Sequence, residues 1–151
     1  MSERAPCPFC AAAEGASRTP VVYETEKVLA LFPLHPATRG HTLVVPRDHM
    51  PDISALDPAA VPPLIETLLF VAKTIRQALN PEGLNVITSA GAAATQTVRH
   101  LHIHLVPRWH DDGFGKIWPE PGPSFAEREI REMAETIRIR LCWRTNSIIS
   151  V

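Results

Sequence analysis

The sequence predicts an α+β domain: a mainly antiparallel five-stranded sheet carrying two helices. Three observations lead there. Five short apolar segments are bounded by turn residues, two stretches repeat apolar residues at the helical period, and residues 100–108 read HLHIHLVPR with period two. At 151 residues the chain is long enough to bury one core without disulfides.

After a short start containing two cysteines, Val21–Glu24 and residues 28–32 read as strands joined by the polar turn 25–27. Residues 41–46, HTLVVP, form a third strand, entered through Arg39-Gly40 and stopped by Pro46. From Asp57 the period changes. Leu64, Ile65, Leu68, Ala72, Ile75 and Leu79 fall on one helical face. Pro62 and Pro63 place the regular start near them, because a first-turn proline loses no intrahelical bond; Asp57-Pro58 begins an earlier turn. The run Asn80-Pro81-Glu82-Gly83 ends the helix.

Residues 84–89 read as the fourth strand, and the small-residue loop 91–97 feeds into the fifth at 100–108. A Gly- and Pro-rich linker spans 111–123. Ser124 and Glu127 have capping-box spacing before a second helix, whose apolar face is Ile130, Met133, Ile137 and Leu141. Residues 142–151 carry no pattern. The expected organisation is a core over 1–113, with 114–151 as linker, helix and tail of the same domain.

Fifteen basic against sixteen acidic residues give a formal charge of −1, which lacks the basic footprint of a nucleic-acid polymer binder. No apolar run is read as reaching the roughly 18 residues that span a bilayer, and MSERAPCPFC has neither the basic start nor the apolar core of a signal peptide. The expectation is a cytoplasmic protein with no membrane partner. Three cysteines make no disulfide framework and fit a reducing compartment.

The histidine run carries the chemistry. On a strand, alternate side chains share a face, so His100, His102 and His104 would lie together, roughly 7 Å apart, opposite Leu101, Ile103 and Leu105. Imidazoles so close suit phosphate, protons or metal. An HxH pair could supply two zinc ligands, with His41, His49 or a carboxylate as a third. Alternatively, a neutral imidazole attacks phosphorus while neighbours hold its tautomer and protonate the leaving group. The Gly/Ala-rich loop before it lets backbone N–H groups approach an anion. Cys7-Pro8-Phe9-Cys10 is a metal half-site, a redox pair or a coincidence; redox use is disfavoured because no strand–helix unit precedes it.

The stretch GAAATQTVRHLHIHLVPR, residues 91–108, resembles the signature of the histidine triad (HIT) superfamily of nucleotide hydrolases and transferases. GHTLVVPRDH, residues 40–49, resembles its second signature, GHxLVxPxxH, and the matching pattern runs from about residue 7 to 113. The resemblance implies that His102 is the nucleophile toward an α-phosphorus, with His104 and His41 completing the catalytic set. It implies substrate contacts from Gln96, Thr97 and Val98, and from Ser89, which stands where an Asn often precedes the loop. A third histidine in the triad matches the hydrolytic members, since transferring branches often carry Gln there. Cys7, Cys10, His49 and His100 make a Cys2His2 set of the kind structural zinc prefers, and zinc-binding bacterial members of the family imply the same four. The family also implies a homodimer. One departure is clear: Pro33 occupies the position where many members place an Asp against the ribose hydroxyls.

The resulting expectation is a hydrolase of a nucleotidyl phosphoramidate, dinucleoside polyphosphate or related ester, acting through a nucleotidyl-histidine intermediate. A nucleotidyltransferase, a non-catalytic nucleotide-binding protein and a zinc-dependent hydrolase are the alternatives. Arg108 shares the histidine face by parity, while His35 and His110 read as loop and solvated residues. Trp109, Phe114 and Trp118 read as cover for apolar surface.

Overall fold

The computed structural model describes residues 7–118 and 122–146. The chain divides into two compact units, Met1–Gly115 and Lys116–Val151. The first unit holds a five-stranded sheet of β1 (Val21–Glu24), β2 (Val28–Leu31), β3 (Thr42–Pro46), β4 (Gly83–Ile87) and β5 (Ile103–Arg108). Spatial order is β1-β2-β3-β5-β4, with every neighbouring pair antiparallel. Helix α1 (Pro8–Ala13) precedes the sheet, and α2 (Val61–Leu79) connects β3 to β4.

Strands β2 and β3 are buried at every position because both faces of the sheet are covered. Val28, Ala30, Val44, Ile103 and Leu105 pack with Leu64, Val71 and Ile75 of α2. The alternate residues Leu29, Leu31, Leu43 and Val45 pack with Phe9 and Ala12 of α1. Period two thus sends each strand's side chains into two separate cores. By length and composition Pro58–Leu79 could cross a membrane, contrary to the sequence expectation, but Leu64, Thr67, Val71 and Ile75 of α2 are buried in the fold.

Two short 3-10 turns, Ile53–Ala55 and Pro58–Ala60, lead into α2, each capped by an aspartate: Asp52 accepts from the Ser54 N–H and Asp57 from the Ala59 N–H, both at 2.8 Å. Asn80 ends α2 in the left-handed region at φ 46°, a conformation that asparagine tolerates.

Three differences from expectation bear on function. Residues 8–13, left without structure in the sequence analysis, form α1. The fifth strand begins at Ile103 rather than His100, because the Leu101 N–H is taken by the Met50 carbonyl at 2.6 Å and the chain joins the β3 ladder only from Ile103. His41 likewise sits just before β3, not within it.

The second unit contains α3 (Glu127–Asn146). Its start is capped two residues later than the Ser124/Glu127 spacing suggests: the Glu129 carboxylate accepts the Ala126 N–H at 2.7 Å. Ile130, Met133, Ile137 and Leu141 recur along it and are exposed. The unpatterned stretch expected from residue 142 begins inside α3, and residues 147–151 lie outside the described residues.

Candidate functional site

Three segments converge on the α1 face of the sheet: the turn before β3, the irregular stretch before β5, and α1 itself. Their hydrogen bonds assign the histidine tautomers. The Ala37 N–H donates to His41 Nδ1 at 3.0 Å, so the neutral His41 ring carries its proton on Nε2. That Nε2 lies 2.9 Å from His104 Nδ1, which must accept, leaving the His104 proton on Nε2. His102 Nδ1 lies 2.7 Å from the His100 carbonyl oxygen. A carbonyl can only accept, so His102 Nδ1 donates and Nε2 of the neutral ring is left with a free lone pair. The His102 and His104 rings stand 4.9 Å apart between centroids, edge to face.

Electrostatics keep two members of this chain neutral. Burial, followed by the neighbouring His102 and His41, pushes His104 down to about 4. Burial also lowers His41.

His102 and His104 line an open cleft of about 520 Å³. Thr97 and Val98 line it as expected, and Pro33 does too. Ser89 and Gln96 are not among its lining residues. The Gln96 side chain is spent on its own loop: Nε2 donates to the Pro51 and Val98 carbonyls at 2.6 and 3.0 Å, and Oε1 accepts the Gly91 N–H at 2.8 Å. Phe9, Leu31 and Leu43 supply apolar wall, while Arg18 and His35 bring cationic or protonatable groups. Sequence reasoning missed Phe9 and Arg18, which no short motif marks, and it placed His35 as an ordinary loop residue. Arg108 is committed elsewhere. Its guanidinium bonds Asp112, Asn85 and the Gly115 carbonyl and sits 4.4 Å from the Phe114 ring centre; the hydrogen bonds from Arg108 and from the Phe114 and Trp109 N–H groups hold the Asp112 carboxyl far below the usual carboxylate range. His110 pairs with Glu82 at 2.7 Å.

His100 belongs to a different group from its triad neighbours. One ligand atom from each of Cys7, Cys10, His49 and His100 can be chosen so that all four lie within 4.8 Å of one another. Cys7 Sγ is 3.4 Å and Cys10 Sγ 3.6 Å from His100 Nδ1, and Cys10 Sγ is 3.3 Å from His49 Nδ1. Tetrahedral zinc, with sulfur at about 2.3 Å and nitrogen at about 2.0 Å, sets S···N edges of about 3.5 Å. The four residues therefore fit zinc. The His100 orientation fits as well, since its Nε2–H donates to the Pro46 carbonyl at 2.8 Å and leaves Nδ1 free to coordinate. Burial and the adjacent Cys7 raise the Cys10 thiol, so two thiolates side by side call for a cation.

Comparison with known proteins agrees with this geometry. Residues 14–111 match the HIT domain family. A HIT family protein from Bacillus anthracis superposes with a TM-score of 0.80 at 35% identity, covering 91% of this chain and 99% of that one. A zinc-bound histidine triad family protein from Mycobacterium smegmatis gives a TM-score of 0.67 at 36% identity, over 73% of this chain and 80% of that one. The adenylylsulfatase HINT3 of Arabidopsis thaliana is 30% identical over 140 residues, 90% of this chain and 70% of that protein.

Proposed function

The chain belongs to the HIT domain family, and from that premise we propose that it hydrolyses a nucleotidyl phosphoramidate, dinucleoside polyphosphate or related nucleotidyl ester, with His102 as nucleophile. One observation carries the reading: the 2.7 Å bond from His102 Nδ1–H to the His100 carbonyl, which leaves an Nε2 lone pair on a ring lining the cleft. The adenylylsulfatase activity named for the Arabidopsis relative supports the reaction class, because that substrate is also cleaved next to a nucleotidyl phosphorus.

In this reading Nε2 of His102 attacks the α-phosphorus, a phosphorus–nitrogen bond forms, and the bond to the leaving group breaks. His104 is neutral without substrate, and its Nε2–H passes to the leaving group as that bond breaks, the charge left on His104 being balanced by the cationic ring of the His102 adduct beside it. Water then attacks the phosphorus, the bond to His102 breaks, and the water proton replaces the one His104 lost. Products are a nucleoside monophosphate and the protonated leaving group. His41 holds the His104 ring through Nε2. Backbone and hydroxyl groups at Thr97 and Val98 face the phosphate, while Gln96 shapes their loop, and Ser89 acts at the loop entrance rather than in the cleft.

The zinc at Cys7, Cys10, His49 and His100 is structural in this proposal: it ties α1 to the segment carrying the nucleophile and supplies no step of the chemistry. We assign the protein to a reducing, cytoplasm-like compartment that keeps both thiols available, and assign it no nucleic-acid or membrane partner. It is a homodimer joined through the outer face of α2 and the edge strand β4, where Ile65, Leu69 and Val86 are 41–54% exposed.

A panel of adenylyl and guanylyl phosphoramidates, dinucleoside polyphosphates and nucleotide sugars tests the reaction, with products identified in the presence and absence of alternative acceptors. Transfer to an acceptor other than water would identify a transferase, and binding without turnover a nucleotide-binding protein. Quenching without acid during turnover is expected to trap a nucleotidyl group on the peptide containing His102. An adduct on another residue overturns the mechanism.

A further inference from the structure

Phe9 stands between the two cysteines, and its ring touches both histidine systems at once. It packs edge-on to His100, with centroids 5.7 Å apart, and at 55° to His102, 5.1 Å away. It is buried with Leu29, Leu31, Leu43 and Val45 beneath the cleft it helps to line. At six residues, α1 is far too short to be helical by itself, so its position depends on its anchors. Those anchors are the packing of Phe9 and Ala12, the Arg47 guanidinium that donates to the Ala13 carbonyl at 2.7 Å at the far end, and the donors Cys7 and Cys10 at either side of Phe9.

We propose that Phe9 is a positioning residue that couples metal occupancy to the attacking imidazole: with Cys7, Cys10, His49 and His100 closed on a metal ion, α1 holds the Phe9 ring against His102. The inference rests on the reading of His102 as nucleophile. The physical need is clear. The bond from Nδ1 to the His100 carbonyl fixes one atom of the His102 ring and the His104 ring meets it edge to face, which leaves the ring free to rock toward α1. The Phe9 ring restricts that motion from the side. A nucleophile displaced by about 1 Å can lose as much as about a hundredfold in rate. Two routes run from the metal group to His102, the Phe9 ring and the His100 carbonyl, and the proposal commits to the first.

The test uses full-length protein with labelled histidines, His102 being assigned by comparison with His102→Asn. Its ring C–H resonance is followed with zinc bound and after chelation in wild type, Phe9→Leu, Phe9→Met and Phe9→Tyr, each checked for folding by circular dichroism. Leu and Met keep apolar volume in the core; Tyr keeps the ring. Chelation is expected to move the resonance in wild type and Phe9→Tyr, and to move it only slightly in Phe9→Leu and Phe9→Met. In turnover, chelation should lower wild-type kcat about tenfold with KM changed far less, whereas zinc-loaded Phe9→Leu starts near that lower kcat and loses little more. An unmoved wild-type resonance on chelation overturns the proposal. So does an equal displacement in the Leu and Met variants, which would route the coupling through the His100 carbonyl. The resonance arm needs no substrate, so it stands even if the hydrolase reading fails.

Discussion

His102 and His104 differ in what their hydrogen bonds leave free, and that difference orders their mutants. His102 keeps an Nε2 lone pair, while His104 keeps an Nε2–H. His102→Asn should leave the fold and nucleotide binding intact but lower kcat beyond the roughly hundred- to ten-thousand-fold cost of losing an acid–base helper. His104→Asn should fall within that milder range, and single-turnover kinetics on both variants checks the order. His104 also makes stability depend on pH. Its folded pKa is about 4, against 6.5 for an unperturbed histidine. Between these values the unfolded chain binds the proton that the folded chain refuses. The His104 contribution is therefore fully present above about 6.5 and is lost progressively as pH falls toward 4. Thermal melts between these pH values should show a decline that is shallower in His104→Asn; a parallel decline would show that His104 is not its source.

At the scale of elements, the turn into β3 and the helix α1 hold the site in place. Gly40 has φ +77°, and a Cβ there would collide with Leu79 Cδ1. Its carbonyl also accepts the Thr42 hydroxyl at 2.9 Å, next to His41. Gly40→Ala should cost about 1–3 kcal/mol, from left-handed backbone strain and a displaced Leu79, and denaturant titration measures it. Helix α1 carries two of the proposed metal donors, Cys7 at its N-cap and Cys10 within it. Cys7→Ser with Cys10→Ser should abolish the proposed zinc binding, as native mass spectrometry would check, and lower Tm by roughly 10 °C, the loss expected when a tightly bound ligand of the folded state is removed. A metal-free wild type, purified reduced and without chelator, would contradict the assignment.

At the scale of the whole molecule, the exposed side of α2 and the edge strand β4 form the surface through which two copies are expected to join. Light scattering at micromolar concentration should give twice the chain mass, and Leu69→Glu should halve it; a wild-type monomer would remove the dimer from the proposal. The same elements show how far sequence alone reached. Strand and helix identity was legible because periods of two and 3.6 are local properties: the two faces of β2 and β3 and the buried stripe of α2 stand in the sequence as written. The histidine run was legible as chemistry, because three imidazoles at alternate positions have few other uses. How that run divides was not legible from parity; only the family resemblance set His100 with Cys7, Cys10 and His49, apart from His102 and His104. Parity put His100, His102 and His104 on one strand face, yet β5 starts only at Ile103, His100 turns to a group containing Cys7 from 93 residues away, and His104 turns to His41 from 63 residues away. Helix α1 and the place of Phe9 were hidden for the same reason. Six residues make too little helix to announce themselves, and what holds them is contact between distant segments, which only the closed fold brings together.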